Sequence, residues 1–448
     1  MHLANLTTDG LKRISGLLFA ILLYTNASAQ ENSPYSRFGI GDLTPNQNIV
    51  NRTMGGISAG YASFSSLNFL NPASLCAISN TIFDLGGEVD FRSLRNTQIP
   101  GKSTSTNAVF SYLQVGFPIS TAKMKRKNIF WGLSFGLRPI SKINYKIEKN
   151  ERLSGIDSLN TLFEGSGGLN QANISTGVRI KNFSLGISTG YNFGNKDYST
   201  RLNFLNDSVI YYKSNSETKA SYGGVFLNVG VQYMFETGNK GKLIVGAYTN
   251  LQQSLKAKQN HIDETFTYDG NGAVLNIDTV AFQNDEKGTV KLPSTYGIGF
   301  TYQDKNNHWL VGADMEFSNW SKYRYYDKED AVQNSWTIKA GAEYLPASAT
   351  TASSKYWSFV RYRAGVYYGP DYIKLDKSRS NYGATLGASL PLTSFRQRNI
   401  AGEFVLLNTG IEVGGRGSKQ NSSVRETILR FNVGISMNGA WFFKRKYD

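Results

Sequence analysis

From about residue 81 onward, apolar and polar residues alternate one for one through most of the chain. This is the period of extended strands whose two faces meet different surroundings. In the stretch 128–138, Ile129, Trp131, Leu133, Phe135 and Leu137 share one face, while Gly132, Ser134, Gly136 and Arg138 share the other. Phe83, Leu85, Val89 and Phe91 oppose Asp84, Glu88, Asp90 and Arg92 in the same way, and Phe183, Leu185, Ile187 and Tyr191 oppose Ser184, Gly186, Ser188 and Asn192. The pattern recurs in 336–344 and 429–437. It predicts strands at roughly 81–92, 106–118, 128–150, 170–181, 183–195, 219–235, 242–257, 290–303, 307–318, 333–345, 356–369, 380–391, 400–414 and 424–438. Every second connection is short or moderate, at 181–182, 236–241, 304–306 and 346–355; the others are longer and polar, with the largest at 258–289.

An even number of up-and-down strands with short turns at one end and longer loops at the other is the build of a bacterial outer-membrane barrel. Hydrocarbon offers the backbone no hydrogen-bond partner, so a sheet survives there only when it closes on itself. The expected fold is therefore all-β: a transmembrane antiparallel barrel of about 14 strands over 81–438 in the outer membrane of a Gram-negative cell. The negative mean hydropathy agrees, since only alternate residues of a barrel face lipid.

The first 29 residues read as a signal peptide: Lys12 and Arg13 precede the apolar run Ile14 to Tyr24, and Ala27-Ser28-Ala29 offers a cleavage site. That run is shorter than the ~20 residues of a spanning helix. Residues 30–80 lack sustained alternation and are rich in Asn, Ser and Gly. A fourteen-stranded barrel is too wide for its own side chains to fill. The segment is expected to be either a plug in the lumen or a periplasmic tail; Phe38, Ile40, Leu43, Met54, Tyr61, Phe64, Leu67, Phe69 and Leu70 favour the plug.

Within this segment lie Arg52-Thr53-Met54-Gly55-Gly56, then Ala59 and Ala62, then Asn68-Phe69-Leu70-Asn71-Pro72-Ala73. The stretch resembles the N-terminal hatch of the long-chain fatty-acid transporter family, FadL and its toluene-transporter (TodX-like) relatives, with Asn71, Pro72 and Ala73 as the hatch motif. Pro34 to Gly41, Glu412 to Gly417, Glu426 and Trp441 to Lys446 look like an uncharacterised branch of that superfamily. The resemblance implies passive uptake of hydrophobic or amphipathic, fatty-acid-like molecules, bound in the lumen and released sideways through the barrel wall. In that family the third strand kinks inward. Here Pro139 interrupts the third segment, so Gly136 to Ile140 is either such a lateral opening or an ordinary bulge.

The chemistry of the remaining residues argues against an enzyme. His261 and His308 are the two histidines outside the signal, with no spacing that suggests a hydrolase triad. Cys76 stands alone, so neither a disulfide nor a cysteine metal cluster is expected, and no Gly-rich phosphate loop calls for a cofactor. Arg138, Arg179, Arg361, Arg363 and Arg430 fall on polar strand faces; they either hold a ligand carboxylate or bond the plug and line water. The chain carries 48 Lys and Arg against 33 Asp and Glu. In an exported protein this surplus points away from nucleic acid, and either suits the anionic headgroups of phospholipid and lipopolysaccharide or is merely solvated. Trp441 to Lys446 suits an interfacial belt, in a periplasmic tail of residues 439–448. A second function stays open, that of a non-transporting barrel serving as partner or scaffold in an outer-membrane protein-secretion assembly.

Overall fold

The alternating segments close into a ring of fourteen antiparallel strands in the computed structural model. It describes residues 33–96, 101–152, 158–205, 211–238, 241–269, 271, 273–347, 355–375, 378–393, 403–417 and 424–439. The expected signal peptide and the aromatic and basic C-terminal stretch lie outside those residues. The strands are β1 (Thr81–Asn96), β2 (Lys102–Pro118), β3 (Ile129–Arg152), β4 (Ser158–Ile180) and β5 (Phe183–Phe204). They continue as β6 (Lys213–Glu236), β7 (Gly241–Asn250 with Gln253–Tyr268), β8 (Val274–Leu292 with Thr295–Asp304) and β9 (Trp309–Ser318). β10 (Ser335–Tyr344), β11 (Arg361–Lys374), β12 (Ser378–Pro391), β13 (Phe404–Arg416) and β14 (Val424–Gly439) complete the ring. Closure is made by β14 on β1, in register from Thr81 opposite Gly439 to Asn96 opposite Val424.

Burial is inverted relative to a water-soluble sheet. Phe91, Phe135, Leu137, Leu185 and Ile187 are exposed, whereas Asp84, Glu88, Asp90, Arg92, Ser134, Ser188 and Asn192 are buried. The apolar face of each strand therefore points outward, where lipid covers it, and the ionisable face points into the ring. The protein is an outer-membrane barrel, and no described helix is long and apolar enough to cross a membrane.

The strands differ greatly in length. β9 and β10 have 10 residues each, enough to cross the bilayer. β3, β4, β5 and β6 have 22 to 24. The extra length lies at the end opposite the barrel's two termini, hence on the outer side, where β3 to β8 continue as a standing wall. The segment 258–289, expected as the largest loop, is most of this wall's last hairpin: Tyr268 pairs with Val274 and Gln253 with Leu292. His261 accordingly sits on a strand. Above the bilayer neither face of a strand meets lipid, so the alternation that marks the spanning parts fades.

Candidate functional site

Residues 33–80 form short turns and one helical turn rather than a sheet of their own. They nevertheless touch every strand. Gly41 meets β3, Pro72 approaches Gly177 and Gly186, Asn71 reaches Gly230, Ala59 reaches Gly246, and Ile57 lies against Gly312. Met54 meets Gly341 and Gly365, Thr53 meets Gly387 and Gly410, and Ile49 meets Gly434. Gly60 O accepts from Thr301 Oγ1 at 2.7 Å, and Ile49 N donates to Tyr112 OH at 3.2 Å. Glycine is required on both sides of one such contact. Gly55 has φ +68°, and a Cβ there would lie 2.6 Å from Val366 O.

The Asn71-Pro72-Ala73 motif has a local explanation. Asn71 is fully buried and starts the 3-10 turn Pro72–Ala77, with its Oδ1 accepting from Ala73 N at 3.2 Å. Its Nδ2 donates to Ala59 O at 2.7 Å and Val231 O at 3.2 Å. One amide side chain thus ties two parts of the segment to β6. Pro72 takes a first-turn place where no N–H is needed. Cys76 is buried beside it.

Buried ion pairs join the segment to the ring. Arg52 lies 2.5 Å from Glu88 and 3.7 Å from Glu412. Arg430 pairs with Asp90 at 2.5 Å and Glu412 at 3.0 Å. Asp42 takes Arg92 at 2.5 Å and Arg416 at 2.8 Å, and both guanidiniums also lie within 4.0 Å of Glu426. Burial alone would raise the Asp42 carboxyl, but Arg92 and Arg416 hold it well below the usual carboxylate range. Such groups tolerate burial only because each has its partner. This network draws on both ends of the chain: Tyr35 OH donates to Val424 O at 2.9 Å, and Ser33 to Glu426 at 3.4 Å. The Pro34–Gly41 and Glu412–Gly417 stretches and Glu426 stood out in the sequence, but not that Tyr35 would reach Val424 and Asp42 would reach Arg416.

The five arginines singled out from sequence part company. Arg361 and Arg363 both pair with Glu343 at 2.7 Å, and Arg430 belongs to the network above. Arg179 lies over the Phe130 ring at 4.3 Å. Arg138 is buried, and its hydrogen bonds go to Gln171 Oε1 at 2.8 and 3.0 Å and Asn46 O at 3.0 Å, with its guanidinium over Phe69. Among the described residues it forms no ion pair. It lines a cavity of about 120 Å³ whose apolar walls include Ile40, Leu70, Leu169 and Phe226.

Beside this cavity the wall changes. β2 and β3 pair only from Leu113 opposite Leu137 to Pro118 opposite Gly132. Gly136 is still paired on both sides, with Gln114 and Asn173. Pro139 lies two residues past the last β2–β3 pair, where the β3–β4 register shifts. The edge of β3 thus released is taken up by the N-terminal segment: Leu43 pairs with Ser141 and Asp42 with Lys142. Thr44 N donates to Ile140 O and Ser33 N to Asn144 O, each at 3.0 Å. No group of histidines, cysteines and carboxylates fit to hold a metal occurs among the described residues.

Solved barrels share this architecture. A FadL homologue from Pseudomonas aeruginosa superposes with a TM-score of 0.57 over 89% of this chain and 99% of its own, at 13% identity. The toluene transporter TodX of P. putida gives 0.55 over 89% and 100% at 14% identity, and the monoaromatic hydrocarbon channel CymD 0.52 over 92% and 100% at 13%. At these identities the likeness speaks for the fold. No curated protein sequence matches the chain. The sequence profile of one family, BamG, matches residues 11–448. Spanning segment and barrel alike, the chain belongs to the BamG family.

Proposed function

We propose that the barrel is a channel for passive uptake of hydrophobic or amphipathic small molecules, with residues 30–80 as its hatch. Ligand binds beside Arg138 and leaves sideways where β2 and β3 separate. The observation that carries this reading is the conjunction at Pro139. A partly apolar cavity lined by the buried Arg138, which forms no ion pair among the described residues, lies next to the stretch where β2 and β3 no longer pair; Glu316, also on its wall, is held by Lys339 and Tyr248. A guanidinium without an acid partner, beside the apolar Ile40, Leu70, Leu169 and Phe226, favours an amphiphile with an anionic head, which Arg can hold with two parallel hydrogen bonds. The similar solved barrels include a FadL homologue and a monoaromatic hydrocarbon channel, which supports the same reading.

The test is displacement of a fluorescent fatty-acid analogue from the purified barrel by a medium-chain carboxylate and by the alcohol of the same length. Arg138→Gln is expected to weaken carboxylate binding by roughly tenfold or more, the value of a hydrogen bond to a charged group, and to leave the alcohol unchanged. If neither amphiphile binds the native protein, the channel reading fails.

A second reading, a non-transporting partner or scaffold in an outer-membrane protein-secretion assembly, draws on a different observation. The outer part of β8 exposes Val274, Leu275, Ile277, Val280 and Phe282 on a strand whose far edge pairs only at Val290 and Lys291. Unpaired apolar edges of this kind invite another chain.

A further inference from the structure

We infer that the inner side of the outer wall is a binding site for a neutral saccharide, separate from the amphiphile cavity. A cavity of about 660 Å³ lies between β5, β6, β7 and β8 and the turn after β9, a volume within the usual range for small-molecule sites. On β8 it begins beyond Thr295, the last residue paired with β9. From there to Thr289 is roughly 20 Å along the strand, so the site stands clear of the bilayer on the outer side.

Its lining has the composition that polyhydroxylated rings require. Tyr198 and Tyr326 supply half-buried aromatic surface for the apolar faces of sugar rings. Thr200, Thr218, Gln283 and Glu286 supply short donors and acceptors around it. The charged residues balance, Lys287 and Lys328 against Glu286 and Asp327, which removes any preference for an anion or a cation. An apolar ligand is disfavoured because hydroxyls, amides and an imidazole occupy most of the wall.

The polar groups are also held in place, as exposed side chains of a plain surface are not. His261 has Thr218 Oγ1 at 2.8 Å from Nδ1 and Asp263 Oδ2 at 3.1 Å from Nε2. Gln259 Nε2 donates to Glu286 at 2.5 Å, and Tyr325 OH donates to Gln259 Oε1 at 3.3 Å. Tyr326 OH donates to Glu286 O at 3.0 Å, and its ring lies flat on Gly288, where a Cβ would approach it to 2.3 Å. Backbone strain gathers at the same place. Asp285, Tyr326 and Asp327 have φ of 55°, 50° and 58°, a region that costs a bulky residue such as Tyr of order 1–3 kcal/mol and persists where the surroundings enforce it. The Tyr326 ring lines the cavity from this strained turn.

The experiment is saturation-transfer NMR and titration calorimetry on the full barrel in a detergent without a sugar headgroup, with maltotriose, mannotriose and chitotriose as probes. At least one trisaccharide is expected to bind with millimolar or tighter affinity. Tyr198→Ala and Gln283→Ala, each exposed to the cavity, are expected to weaken it by roughly tenfold, the amount one lost stacking or hydrogen-bonding group accounts for. Arg138→Gln is expected to leave it unchanged. Absence of binding for all three probes, or binding that both variants leave intact while the proteins fold normally, would overturn the inference.

Discussion

The inner face of the barrel meets two different things at two levels. Within the ring, inward positions are glycines, short polar residues and paired charges, because the N-terminal segment presses against them: Gly186, Gly246, Gly341 and Gly365 all admit its backbone. In the wall above, the inward positions of β5 to β8 carry Tyr198, Thr218, His261 and Gln283, and they surround open space. The difference teaches that side-chain size on a barrel's inner face reports what fills it. Where backbone comes within van der Waals reach there is no room for a Cβ; where nothing arrives, large side chains stand and build a cavity.

The comparison breaks most sharply at Gly365. A Cβ there would lie 2.1 Å from Gly55 N and 2.2 Å from Met54 C, both main-chain atoms that cannot swing aside. Gly365→Val is expected to destabilise the folded barrel by about 3 kcal/mol or more and to make residues 33–80 cleavable in limited proteolysis. Native-like protease resistance would show that the fit at this contact is loose.

A smaller effect is expected at Asp42, whose buried carboxylate bonds two guanidiniums. Asp42→Asn should cost about 2 kcal/mol, the range for hydrogen bonds to charged groups. Because the folded carboxyl titrates below its unfolded value, its stabilisation is complete above the unfolded value of about 4 and is lost as the pH falls below it. Thermal unfolding of the native protein should therefore weaken in acid below about pH 4 more steeply than that of the variant. Parallel acid profiles would mean that Arg92 and Arg416 gain nothing from this charge.

The smallest effect belongs to the wall. Lys149 and Glu151 form an exposed pair at 2.5 Å, and Lys149→Ala should shift stability by no more than ~0.5 kcal/mol, since water already satisfies both groups. A large loss in a melting curve would mean that the wall is braced by its surface charges.

What could be read from sequence follows the same division. The fourteen strands, their order and the outward set Phe91, Phe135, Leu185 and Ile187 were legible because lipid on one face and water or protein on the other impose a two-residue period. The hairpin of β7 and β8 was not, since both its faces meet water and Val274 to Phe282 carry no alternation. Expected loops at 258–289 were strands for that reason. Asn71, Pro72 and Ala73 stood out by type, but not that their partners would be Ala59, Val231 and Gly186. Nor did the pairing of Arg52 with Glu88 and Glu412, or of Asp42 with Arg92 and Arg416, because only closure of the ring brings these positions together. Arg138 looked like the other arginines until its hydrogen bonds proved to go to Gln171 and Asn46 rather than to an acid.

The docking of residues 33–44 onto β3, Val424 and Glu426 has a consequence for biogenesis. The portion of this chain translated early binds a surface completed by the strand translated last, so synthesis and folding run in opposite directions at this seam. Until β14 reaches β1, the side of that surface made by Val424 and Glu426 is missing, and of it β3 alone offers the opening stretch a partner.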